Sequence, residues 1–306
     1  MLLPPDADLF RVPIGTGARM HVARYGYGSE HIVLIHGFAT SSFLWRHVGP
    51  MLAVAGCLVH APDLFGYGES DRPFDADFGL GAQSAYLDSA FTALQIEKAT
   101  VVGVDIGALV ALRLAYDRPD RVHRLVLVGP PPLSDLAGPE IRELQRDTAR
   151  YALQLSRGLF GAAALLRPFL TGGVDDQRDM PDALIGRYLA PYLGSDGANH
   201  LLALAAALAQ DDFEDLELGR VAQRTLVVRG TRDRWCTRPI AEDYADRLSR
   251  GRYQHVDEVG HLVPEEDPQS LARLILAFAR TSEGDSDSSE AEEERSTVVV
   301  RNFGEP

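Results

Sequence analysis

Short runs rich in Val, Ile and Leu recur along the chain and alternate with stretches of helical period. Leu9–Pro13 and Met20–Tyr25 read as an opening antiparallel pair of strands. His31–Ile35, Leu58–Ala61, Ala99–Val104, Leu125–Val128, Thr225–Arg229 and Tyr253–Val256 follow as further strands. Apolar runs of this length, without polar alternation, suit parallel strands buried on both faces. Helices are expected between them over Phe43–Ala55, Gly81–Leu94, Ala108–Tyr116, Pro239–Leu248 and Pro268–Ala279. Such alternation predicts an α/β fold: a mostly parallel eight-stranded sheet flanked by helices, with right-handed crossovers.

Two intervals break the pattern. From Val128 to Thr225 no convincing strand occurs, and the stretch opens on the prolines of GPPPLSD, which stop the preceding element. Residues 133–215 are therefore read as a helical insertion into a core formed by 1–132 and 216–282. The remainder, 283–306, holds eight acids and two bases and few apolar side chains, the composition of a disordered acidic tail.

The net charge of −14 over 306 residues leaves no basic footprint for nucleic acid or anionic lipid, so neither is an expected partner. The longest apolar run, Leu201–Ala209, is far short of the roughly 20 residues that span a bilayer. The opening MLLPPDADLF lacks the basic and apolar regions of a secretory signal, which makes the cytoplasm the expected location. Cys57 and Cys236 lie far apart and read as ordinary buried thiols, and the histidines show no metal-ligand spacing. No metal or cofactor is expected, and a monomer or homodimer is.

Chemistry concentrates at the ends of the predicted strands. In VVGVDIGALVAL, Gly103 and Gly107 flank Asp105 in the G-x-nucleophile-x-G spacing of a sharp strand-to-helix turn. An Asp there sits at a helix N-terminus, where N–H groups and the dipole favour its charged form. Taken alone it reads equally well as a helix N-cap. His36-Gly37 follows an earlier strand, Asp233 follows Thr225–Arg229, and His261 follows the last strand. Acid, acid and histidine thus fall in order at the sheet edge where open α/β folds place ligands.

With these residues in place, the chain resembles α/β-hydrolase-fold enzymes of the branch with an aspartate nucleophile, which includes epoxide hydrolases and haloalkane dehalogenases. HGFATSSFLWRHV and PDLFGYGESDRP resemble two further segments of that branch, and 133–215 corresponds to its helical cap. The resemblance implies that Asp105 attacks sp3 carbon, that His261, oriented by Asp233, activates water, and that the N–H groups of Phe38 and Ile106 form the oxyanion hole. It further implies an acid for the leaving alkoxide among the cap tyrosines Tyr151, Tyr188 and Tyr192, with Trp235 as pocket wall. His36 is expected to orient the oxyanion loop. The positions that hold halide in the dehalogenases carry Phe38 and Ile106 here, neither with a side-chain donor. The reading is therefore a cofactor-free epoxide hydrolase for a hydrophobic small molecule. The elbow departs from the epoxide hydrolases' His-Asp-Trp with Val104-Asp105-Ile106, which keeps open elimination, cyclisation or isomerisation in the same pocket. A dehalogenase, an ester hydrolase and a binding protein without turnover are the remaining alternatives.

Overall fold

The computed structural model describes residues 7–15, 17–148, 151, 161–208 and 213–281. The acidic tail lies outside the described residues, as do parts of the insertion. The strands are β1 (Asp8–Pro13), β2 (Arg19–Tyr25), β3 (Glu30–Ile35), β4 (Cys57–Pro62), β5 (Ala99–Val104), β6 (Val122–Val128), β7 (Arg224–Gly230) and β8 (Gly251–Val256). They form one eight-stranded sheet in the order β1-β2-β4-β3-β5-β6-β7-β8. β1 pairs antiparallel with β2 and β2 with β4, while every later pairing is parallel. The expected α/β-hydrolase-type sheet is therefore present.

Burial follows position in the sheet. Every residue of β5 and β7 is buried, whereas the edge strands β1 and β8 alternate or face solvent. Helices cover both faces: α1 (Val48–Val54), α2 (Leu80–Ala93), α3 (Ile106–Asp117), α8 (Arg238–Arg247), α9 (Val263–Glu266) and α10 (Pro268–Arg280). Between β6 and β7 come α4 (Gly138–Gln145), α5 (Gly161–Gly172), α6 (Asp182–Leu189) and α7 (Gly194–Ala206), with no strand among the described residues.

Two expected boundaries moved. Phe43–Ala55 is a 3-10 turn at Ser42–Trp45 followed by the separate α1. Pro50 has no N–H to donate back to Arg46, so it is accommodated in the first turn of a new helix. β6 starts three residues before the apolar run, at Val122, because His123 and Arg124 hide the strand from a hydrophobic pattern. Its pairing to β5 shifts register between Ala99 and Thr100.

The segment between β6 and β7 meets the rest of the chain through buried and half-buried polar contacts. His200 of α7 hydrogen-bonds the Gly66 carbonyl at 2.5 Å, and Arg72 donates to the Pro191 carbonyl at 2.7 Å. Arg46 makes a two-pronged ion pair with Glu265 at 2.7 and 2.6 Å, and Tyr188 of α6 donates its hydroxyl to the same Glu265. Among the described residues, no helix is long and apolar enough to cross a membrane.

Candidate active site

β5 delivers Asp105 to a turn with φ 54° and ψ −126°, a conformation that non-glycine residues rarely adopt. Its neighbours must be glycine because the backbones meet. A Cβ on Gly103 would lie 2.1 Å from the Gly107 carbonyl oxygen, and one on Gly107 would lie 2.3 Å from that of His36. The turn therefore presses the start of α3 against the loop leaving β3. Across that contact the Phe38 N–H donates to Asp105 Oδ2 at 2.8 Å, and the Ile106 N–H also bonds the carboxylate. Gly37 lies so close that a Cβ there would stand 2.9 Å from Oδ2.

His36 sets that loop. Its Nε2 accepts the Leu64 N–H at 2.9 Å, which leaves the ring proton on Nδ1 to donate to the Gly37 carbonyl at 2.8 Å. Burial lowers its pKa, in keeping with a neutral, orienting imidazole.

Asp233, at the end of β7, accepts the Trp235 and Cys236 N–H groups on Oδ1, at 2.8 and 3.0 Å. Its Oδ2 faces His261 Nδ1 at 2.9 Å. His261, in the loop after β8, turns Nε2 toward Asp105 Oδ1 at 3.8 Å. That Nε2 has no hydrogen-bond partner among the described residues. Space for the ring comes from Gly129 at the end of β6 (φ 54°), where a Cβ would stand 2.9 Å from His261 Cε1. The structure thus brings Asp105, Asp233, His261 and the N–H groups of Phe38 and Ile106 into one cluster at the carboxyl ends of β3, β5, β7 and β8.

Burial pushes the His261 pKa down, but the charge and hydrogen bond of Asp233, together with the charge of Asp105, overcome it and raise the pKa to about 8. Burial raises that of Asp105 against the His261 charge and the two N–H donors. At neutral pH His261 is therefore an imidazolium, beside an Asp105 carboxyl group with one oxygen anchored and the other open.

A cavity of about 180 Å³ opens over this cluster, lined by Asp105, His261, Trp235, Phe169, Glu140 and Ile141 among others. Since a cavity of about 150 Å³ admits benzene, this one suits a molecule of comparable size. Trp235 stacks on Phe169 at 4.8 Å and meets the His261 ring edge-on at 4.8 Å, and its Nε1 donates to Glu140 at 3.2 Å. Phe169 in turn packs edge-on against Phe38 at 5.7 Å.

None of the three tyrosines lines this cavity. Tyr151 is 65% exposed, and the Tyr188 hydroxyl is engaged by Glu265. Tyr192 is buried, and its hydroxyl has no partner among the described residues. Phe169, Glu140 and Arg234 line the cavity without having been singled out in the sequence. Helical period marks Phe169 only as a buried position and cannot say that it meets Trp235. Among the described residues no group of three or more His, Cys, Asp or Glu could hold a metal.

A family model described as alpha/beta hydrolase fold matches residues 30–268. A haloalkane dehalogenase of Mycobacterium marinum is 31% identical over 273 residues, covering 85% of this chain and 88% of its own. A second haloalkane dehalogenase, from Agrobacterium fabrum, is 40% identical, but over 124 residues that make up 40% of each chain. The crystal structure of an alpha/beta hydrolase fold protein from Burkholderia ambifaria superimposes with a TM-score of 0.76 at 27% identity, covering 90% of this chain and 98% of that one. The chain therefore belongs to the α/β-hydrolase fold family, in the branch that contains haloalkane dehalogenases and carries an aspartate at the elbow.

Proposed function

We propose that this hydrolase opens small epoxides through a covalent ester on Asp105. The observation that carries the reading is the division of labour between the two carboxylate oxygens. Oδ2 is held by the Phe38 N–H at 2.8 Å, while Oδ1 faces the cavity 3.8 Å from His261 Nε2. Oδ1 attacks a ring carbon, the carbon–oxygen bond of the epoxide breaks, and the alkoxide takes a proton. A carboxylate suits this step because sp3 carbon yields an ester, whereas an acyl substrate would yield a mixed anhydride.

The alkoxide takes its proton from water in the cavity, and the hydroxide so formed takes the proton that His261 carries below about pH 8. Having given it up, the imidazole is neutral and takes a proton from water, which attacks the ester carbon. The charge that develops on Oδ2 stays in the donors already holding it. Collapse frees a diol and regenerates the carboxylate. Tyr192 is buried with no partner for its hydroxyl among the described residues, so Tyr192→Phe distinguishes a tyrosine acid from water. Retained diol formation in that variant supports water as the donor.

Haloalkane hydrolysis is the second reading, favoured by the names of the relatives. Against it, positions 38 and 106 offer only carbon side chains, and the Trp235 N–H is engaged by Glu140. The test is intact-protein mass of His261→Gln after exposure to styrene oxide, 1-bromobutane and 4-nitrophenyl acetate. An adduct of the whole epoxide mass on Asp105 is expected. An adduct from bromobutane with loss of bromide would favour the halide reading, and no adduct from a folded variant would sink the covalent ester.

A further inference from the structure

His261 sits on a loop whose neighbours on both sides are held by groups outside the triad. The N–H of Gly260, just before it, donates to Glu266 Oε2 at 2.7 Å. The N–H of Leu262, just after it, donates to the Gly173 carbonyl of the insertion at 2.7 Å. Glu266 closes the circuit, because its other oxygen, Oε1, accepts the Asp175 N–H at 2.6 Å. The two backbones approach so closely that a Cβ on Gly260 would stand 2.9 Å from the Asp175 nitrogen and 3.0 Å from the Gly173 oxygen.

We infer that Glu266 is a positioning residue for His261, clamping the histidine loop to the segment Gly173–Asp175 of the insertion so that Nε2 meets water over the Asp105 ester. Only a carboxylate answers two N–H donors from two directions. An amide accepts with its oxygen and turns an NH2 toward the second donor. The neighbouring Glu265 strengthens the same joint, because α9 is also tied to the insertion through Tyr188. A side chain that reaches neither substrate nor Asp105 would in this way set the rate of one half of the reaction.

The inference rests on the covalent reading above and predicts a split between the two half-reactions. Alkylation of Asp105 needs Oδ1 and the oxyanion donors, which Glu266 does not touch, whereas hydrolysis needs His261 in register. Glu266→Gln should slow ester hydrolysis roughly 10- to 100-fold, the cost of a displacement near 1 Å, while alkylation changes less than about threefold. Rapid-quench intact mass with styrene oxide should then show ester accumulating in Glu266→Gln as it does in His261→Gln. Equal losses in both half-reactions, or hydrolysis at the wild-type rate, would overturn the inference.

A second measurement needs no turnover. Amide hydrogen exchange at Gly260 and Leu262 should quicken at least about tenfold in Glu266→Gln, with β5 and β7 unchanged. If His261→Gln strands no ester, the covalent reading fails by itself. The clamp is then judged on these two amides, and unchanged protection there would overturn it.

Discussion

Single atoms separate a reactive carboxylate from an ordinary helix cap in this protein. Asp105 could have capped α3, yet its side chain makes no such cap and reaches instead to the N–H of Phe38. Gly37 is the residue on which this choice turns. Gly37→Ala places a methyl 2.8 Å from Asp105 Cβ and 2.9 Å from Oδ2, so the loop must retreat and the Phe38 donor leaves the oxygen. Loss of one such donor costs about 10²- to 10³-fold in kcat. Steady-state kinetics at unchanged melting temperature is the check, and an unaltered kcat would remove Phe38 from the mechanism. Asp105, Asp233 and His261 were legible in the sequence because each closes a β-rich run and the glycines beside Asp105 are local in sequence. The fate of a tyrosine hydroxyl was not, since it depends on which distant acceptor the fold presents. Tyr188 meets Glu265, 77 residues away.

Among the elements, the joint between α6, α9 and the turn after β3 holds a largely buried ion pair. Arg46 and Glu265 pair with side chains 14% and 1% exposed, and Arg46 also lies over the Phe43 ring at 4.4 Å. Arg46→Met leaves the Glu265 carboxylate buried with only the Tyr188 hydroxyl, which should cost about 3–5 kcal/mol. Tyr188→Phe removes one hydrogen bond to a charged group and should cost about 1.5–3 kcal/mol. Urea titration of both variants at constant m checks the order, and a smaller loss for Arg46→Met would refute it. α9 itself escaped the sequence reading, because four residues following a histidine carry no periodicity to detect. The parallel core did not escape it, since strands buried on both faces are apolar throughout.

For the molecule as a whole, two shifted groups work in the same direction. The His261 pKa is raised from 6.5 to about 8, so the stability it contributes is complete below pH 6.5 and lost as pH rises through 8. That shift corresponds to roughly 2 kcal/mol. Burial raises Glu266 from 4.5 to about 7, against the Asp175 and Gly260 N–H groups, so its contribution is complete below pH 4.5 and gone above 7. Asp63 sets the acid side. Burial raises its pKa, but His21, His36 and the Glu69 N–H lower it to about 2, so its contribution is full above pH 3.8 and lost as pH falls through 2. The melting temperature should therefore peak between about pH 3.8 and 4.5 and fall from there toward pH 9. Circular dichroism melts across that range test this, with a shallower alkaline fall expected in His261→Gln. A melting temperature that climbs from pH 6.5 to 9 would contradict both assignments.

The sequence by itself determined the eight strands, their mostly parallel arrangement, the helices without a strand among the described residues between β6 and β7, and the three residues that meet at the sheet edge. These follow from short-range patterns: unbroken apolar runs, prolines that stop elements, and glycines where backbones must touch. Only the tertiary structure decided what closes around those residues. The aromatic wall of Phe38, Phe169 and Trp235, the engagement of Tyr188 and the clamp of Glu266 on Asp175 each join side chains or backbone groups far apart in the chain. Such contacts leave no period in the sequence, because they depend on how the insertion seats on the sheet.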